Sequence, residues 1–141
     1  MNHKEAFLKT MADTENLALA TCVEGMPNVR VVTFAYDEAT PGRVYFTTFK
    51  GNKKIEEFAL NANVALQPLP EAADAPAQVR IFGRVQKSAR ELSDVGALIA
   101  RKAPSFSETL SKAGPMLEAY EVRFDKAYVT VGMEDAVAID L

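Results

Sequence analysis

Across residues 43–58, RVYFTTFKGNKKIEEF, the spacing of apolar side chains switches from that of a strand to that of a helix. Residues 44–49 are rich in β-branched and aromatic side chains, which suit a pleated strand. Ile55, Phe58, Ala59 and Ala62 then recur with the period of one helix face. Gly51 permits a sharp turn and Asn52 is a good N-cap, so the helix is predicted to begin at Asn52 or just after it.

The charges around that cap are unusual. Lys50, Lys53 and Lys54 crowd a helix start, where unpaired N–H groups and the macrodipole already present positive potential. From residue 39 to 55 there are four basic residues and no acidic one. Two readings follow: a solvated lysine turn, or a phosphate held by the backbone N–H groups, the lysines and a hydroxyl from Thr47 or Thr48.

At 141 residues, 48% of them hydrophobic, the chain is expected to form one domain with a real core. Its net charge of −3 gives no global attraction to nucleic acid or to an anionic membrane, so any anion binding must be local. Cys22 is the only cysteine, which rules out an intramolecular disulfide and favours a reducing compartment. It is expected to be a small core residue. The N-terminus shows no signal-peptide core and no run is long and apolar enough to span a membrane, so a cytoplasmic protein is expected.

In order along the chain, Asn2 and Glu5 form a capping-box pattern for a short amphipathic helix that ends near Asp13, with His3 exposed in its first turn. Residues 17–23 and 27–36, joined by Glu24-Gly25-Met26, read as a hairpin. In the second strand Arg30 shares a face with Val32, Phe34 and Tyr36. It is either a charge snorkelling to water or a guanidinium fork kept for a phosphate or carboxylate. Residues 37–42 read as a loop, Asn61 closes the second helix, and 64–69 read as a fourth strand. Residues 67–77, with three prolines, are expected to form a loop.

Residues 78–86 alternate well, Val79, Ile81, Gly83 and Val85 facing one way. Residues 78–90 form a second block with four basic residues and no acidic one, and both blocks facing one cleft would suit a polyanionic small molecule. Ser88 and Glu91 read as a capping box for a helix stopped by Pro104, and 107–113 as a shorter helix. Residues 119–124 and 127–133 are the last strands, and 136–141 are expected to dock on the body or on a partner. The sum is a mainly β, α+β fold: an antiparallel β-barrel with helices at its periphery.

One histidine and one cysteine leave little material for a Ser-His-Asp or Cys-His arrangement, or for a transition-metal site. Neither a Walker loop nor a dinucleotide fingerprint is present. Glu56 and Glu57 read as wet helix surface. Binding of single-stranded nucleic acid through Arg80, Phe82, Arg84 and Lys87 is disfavoured by the acidic total.

Four pieces in sequence carry a resemblance: Asn28-Val29-Arg30-Val31-Val32, Tyr45-Phe46-Thr47-Thr48, Gly51-Asn52-Lys53-Lys54, and Gln78-Val79-Arg80 with Gly83. In order and spacing they resemble the pyridoxamine 5′-phosphate oxidase-like split-barrel flavoproteins over residues 17–87. The resemblance implies a six-stranded split β-barrel that dimerises and holds FMN between its subunits. Arg30, Lys53 and Lys54 would bind the FMN phosphate, with Asn52 capping the helix and Thr48 or Thr47 adding a hydroxyl. Backbone of Val31, Val32 and Thr33 would line the isoalloxazine edge, and Gln78 of the second subunit would reach the ring's polar side.

There are departures from the family pattern. Asn52-Lys53-Lys54 stands where the family usually has Ser-Arg-Lys, which keeps charge but loses the arginine fork. The chain has no tryptophan and lacks the C-terminal Trp and Arg signature of true pyridoxamine phosphate oxidases. It is similar instead to short flavin-nucleotide-binding relatives, and vitamin B6 oxidation is not expected. The expectation is a homodimeric FMN oxidoreductase with no metal and no assignable catalytic side chain. A flavin-carrying or sensing module, or use of the deazaflavin F420, are the alternatives.

Overall fold

The computed structural model describes every residue except Asp74 and Pro76. Its helices are α1 (His3–Asp13), α2 (Lys53–Leu60), α3 (Leu92–Lys102) and α4 (Phe106–Ala113). Its strands are β1 (Asn16–Val23), β2 (Met26–Tyr36), β3 (Arg43–Phe49), β4 (Asn63–Pro68), β5 (Ala77–Lys87), β6 (Leu117–Arg123), β7 (Lys126–Val131) and β8 (Val137–Asp140).

Six strands close an antiparallel barrel in the order β1, β2, β3, β6, β5, β4 and back to β1. The pairs Leu19↔Arg30, Ala35↔Tyr45, Val44↔Val122, Val85↔Val122, Leu66↔Ile81 and Leu19↔Leu66 fix the register around the ring. The β1–β2 turn carries positive φ at both Glu24 (52°) and Gly25 (78°), the twist that a two-residue hairpin needs.

β5 changes partners along its length. Its first half pairs with β7 and its second half with β6. At the changeover a Cβ on Gly83 would stand 2.5 Å from the Arg123 carbonyl oxygen, so only glycine lets the two backbones approach this closely. β8 then extends the sheet beyond β7, docking the C-terminal residues on the body.

The barrel interior follows the strand alternation. Leu17 and Leu19 of β1, Phe34 of β2, Val44 and Phe46 of β3, Ile81 of β5 and Val122 of β6 are all buried. α1 packs Phe7 against Tyr36 at one end of β2, with ring centroids 5.4 Å apart. At the other end α2 inserts Phe58, whose ring lies 6.0 Å from Phe46 and 5.6 Å from Tyr120. Outside the barrel, Val95 and Ile99 of α3 cover Ala35 and Tyr45.

Several expectations are corrected. Ser88 and Glu91 form no capping box: the Ser88 hydroxyl accepts from the Arg90 N–H, and Ser88 N–H is tied to the Ala119 carbonyl, so α3 starts only at Leu92. Cys22 is not in the core, because β1 turns Leu17, Leu19 and Thr21 inward and Ala18, Ala20 and Cys22 outward. His3 is half-buried, not exposed, and its Nε2 is shielded without a hydrogen-bond partner. The expected loop over 67–77 is shorter, since β4 runs through Pro68 and β5 begins at Ala77; Asp74 and Pro76 lie outside the described residues.

Candidate functional site

The barrel has an open seam between β2 and β3. β2 pairs with β1 from Met26 to Thr33, but with β3 only from Phe34 to Tyr36. β3 keeps its pairing with β6 through Phe49 while parting from β2 after Phe46.

The Phe34 N–H donates to the Glu15 carbonyl, which sets the alternation of the ladder. Backbone groups of Arg30 and Val32 therefore face β1, and those of Val29 and Val31 face the seam. The Val29 N–H is capped by its neighbour Asn28 (2.9 Å), whereas the ladder leaves Val31 without a strand partner. An unpaired edge of this kind is ready to accept a planar ligand with donors and acceptors on its rim.

α2 begins at the end of this seam. Gly51, at φ 75°, makes the turn, and the Asn52 side chain accepts from the Lys54 N–H at 3.1 Å, as the cap pattern predicts. Lys54 Nζ then donates to Thr48 Oγ1 at 2.8 Å. Among the described residues no carboxylate pairs with Lys54, and burial, followed by the nearby charge of Arg30, pulls its pKa below the ordinary lysine value. A half-buried ammonium beside another cation is poised to take an anion.

Arg30 points into the barrel mouth, as its face predicts, and meets a polar cluster there. Nη1 donates to Thr21 Oγ1 at 2.9 Å and to the Leu19 carbonyl at 3.4 Å, and Nη2 to Glu57 Oε1 at 2.6 Å. Glu57 also accepts from Thr21 (2.9 Å) and from Asn28 (3.3 Å). Burial opposes ionisation of Glu57, but the Thr21 hydroxyl, the Arg30 charge and the Asn28 amide together hold its pKa below the usual carboxylate value.

The reading of Glu57 as wet surface is thus wrong, since it is 8% exposed. It lies one turn along α2 from Lys54, on the face turned to the barrel, while Ala59, expected there, is exposed. Thr21 escaped notice, and Asn28 was given no role. The signal available in the sequence was the i, i+3 spacing of Lys54 and Glu57.

Arg30, Thr48, Asn52 and Lys54 gather at the seam, with Lys53 exposed at the same turn. Other expected residues lie elsewhere. Thr47 faces the opposite side of β3 from Thr48. Of the backbone expected at the ring edge, that of Val32 faces β1, with its side chain in the core, whereas that of Thr33 faces the seam side like Val31, its hydroxyl bonding Asn16 at 3.0 Å. Gln78 is on the outer face of β5, beside a cavity of about 150 Å³ with Gln67, Arg80 and Tyr128.

The second basic block does not converge with the first. Arg84 bonds Asn63, Lys87 pairs with Glu118, and Arg90 pairs with Asp37 at 2.6 Å. A depression of about 960 Å³ on the outer sheet face, between Cys22, Pro27, Arg43, Phe82, Arg84 and Arg123, includes none of Arg30, Lys53 or Lys54.

This split barrel is the architecture of a known class. The family model of pyridoxamine 5′-phosphate oxidase-like proteins matches residues 10–136, and the chain belongs to that family. Among solved structures it is similar to General Stress Protein 26 from Bacillus anthracis, with 16% identity, full coverage of both chains and a TM-score of 0.73. A FAD-binding protein from Mesorhizobium loti matches with 17% identity over 92% of this chain and 94% of its own, at a TM-score of 0.66. A heme binding protein from Mycobacterium smegmatis matches 99% of this chain with 15% identity and a TM-score of 0.76, and the chain spans 58% of that protein's length. No curated protein sequence matches the chain. Among the described residues no helix is long and apolar enough to cross a membrane.

Proposed function

We propose that residues 1–141 act as one FMN-binding domain that works as a homodimer and serves as an oxidoreductase on a small molecule. The observation that carries this reading is Lys54, half-buried, without a carboxylate partner among the described residues, and hydrogen-bonded to Thr48 beside the Asn52-capped start of α2. Arg30, Lys53, Lys54 and the N–H groups of that helix start would hold the phosphate. The seam-facing backbone of Val31 would meet the ring edge. Bound flavin would supply the electron and hydride chemistry, leaving the chain to bind, orient and exclude water.

The dimer part of the reading is supported by what one chain leaves uncovered. Val29 and Val31 are 64% and 61% exposed beside the seam, and Phe82 is 55% exposed on the outer face of β5. Gln78, on that outer face, serves a flavin at the seam only if a second copy supplies it. The FAD of the Mesorhizobium loti protein shows that one protein of this fold takes a flavin; the heme of the Mycobacterium smegmatis protein is the competing ligand. The one histidine here, His3, keeps Nε2 shielded in α1, which argues against that nitrogen as an axial ligand.

The test is titration of the protein with FMN, riboflavin, F420 and heme, read by absorbance and flavin fluorescence. Tight FMN binding, with reduction by a nicotinamide donor and turnover with an acceptor, supports the oxidoreductase. FMN binding without turnover leaves a carrier or sensor. Tight heme or F420 binding with none for FMN overturns the reading.

A further inference from the structure

We infer that Glu57 is a positioning residue for phosphate capture: it locks the Arg30 guanidinium so that one edge of the fork stays free for a phosphate. The inference rests on the phosphate reading of the site above and assigns a role to a residue outside the expected binding set.

A guanidinium has five N–H donors. Thr21 Oγ1 accepts from Nη1 and itself donates to Glu57 Oε2, while Glu57 Oε1 accepts from Nη2. These contacts close a ring on the Nη1/Nη2 edge. The Leu19 carbonyl lies 3.4 Å from Nη1, so both Nη1 donors have partners. What remains is the Nε–H and the second Nη2–H, side by side on the other edge, with no acceptor among the described residues. Two parallel donors of this kind match two oxygens of a phosphate.

The charge balance also makes sense. Without Glu57, the charges of Arg30 and Lys54 would repel with no carboxylate beside them among the described residues, and Arg30 Nη2 would lose its anchor. With Glu57 in place, Arg30 stays oriented at little net charge and Lys54 carries the unneutralised charge. Binding then loses less freedom of the arginine side chain, since it is already ordered.

The test compares FMN and riboflavin binding by wild type, Glu57→Ala, Glu57→Gln and Thr21→Val. Glu57→Ala is expected to weaken FMN about tenfold and to leave riboflavin within about twofold, the size of a charged hydrogen bond lost at the phosphate. Glu57→Gln keeps an oxygen for Nη2 and is expected to restore FMN to within about threefold of wild type. Thr21→Val, which removes only the bridging hydroxyl, should weaken FMN a few-fold and keep the inference testable if Glu57→Ala does not fold. FMN binding to Glu57→Ala as tight as to wild type, or tighter, would make the carboxylate a competitor and overturn it. So would equal losses for FMN and riboflavin, the mark of a structural role. Wild-type protein that binds no FMN removes the phosphate reading itself, a failure seen before any variant is made.

Discussion

Lys54 Nζ stands 2.8 Å from Thr48 Oγ1, joining the start of α2 to the end of β3 at the point where β3 has left β2. The contact leaves the ammonium with only a neutral partner in a place where burial and Arg30 both disfavour its charge. Protein stability alone does not favour a lysine there, and an anionic ligand would relieve both penalties.

The depressed pKa of Lys54 sets a pH dependence. A phosphate favours the ammonium, so FMN affinity should be level near neutral pH, above the second phosphate pKa of about 6, and fall as pH rises through the lowered lysine pKa, earlier than for an ordinary lysine. Riboflavin affinity should not follow it. Titrations across the alkaline range, with Lys54→Ala as the flat control, check this.

Lys102 offers a second titration. Its Nζ donates to the Met11 and Thr14 carbonyls at 3.1 and 2.5 Å and lies 3.5 Å from the Phe34 ring centroid. Burial pushes its pKa down to about 8, with Glu15 and Asp13 opposing. Above that value the folded state has shed a proton that the unfolded chain keeps, so stability should rise from about pH 8 towards the ordinary 10.5. Thermal melts of wild type against Lys102→Met will show whether the rise belongs to this lysine.

Gly83→Ala should be among the more destabilising single changes. The new Cβ would meet backbone at 2.5 Å and Val122 Cγ1 at 2.7 Å, where β5 passes from β7 to β6. Forcing these strands apart is expected to cost about 1–3 kcal/mol, which denaturant unfolding measures directly.

Phe82 bears on the assembly. It stacks edge-on against Tyr128 at 5.8 Å yet remains more than half exposed on the outer face of β5. Light scattering should give a dimer for wild type and a monomer for Phe82→Asp, and the monomer should bind FMN poorly because the second subunit's surface is missing. A Phe82→Asp variant that stays dimeric would move the interface elsewhere.

Much of this molecule could be read from residue order. The alternation in β5 placed Val79, Ile81 and Val85 inward, and Asn52 marked the start of α2 to the residue. The side of β2 on which Arg30 lies was also legible, because alternation is a local property. What failed depended on distant partners. Glu57 looks like an ordinary helix-surface carboxylate until Thr21 and Asn28, from the β1–β2 hairpin, are folded over it. Ser88 has the spacing of a cap, but Ala119 of β6 ties its backbone down before the helix can start there. The seam came only from the family resemblance, since a strand with an unpaired edge reads the same as one paired on both sides.

The proposed phosphate site is tested most directly by isothermal titration of FMN and riboflavin into wild type and Lys54→Ala. Lys54→Ala is expected to weaken FMN by about tenfold or more while riboflavin changes by less than about twofold, the difference being one charge-assisted contact to the phosphate. Equal effects on both ligands, or FMN binding that survives the loss of Lys54 intact, would contradict it.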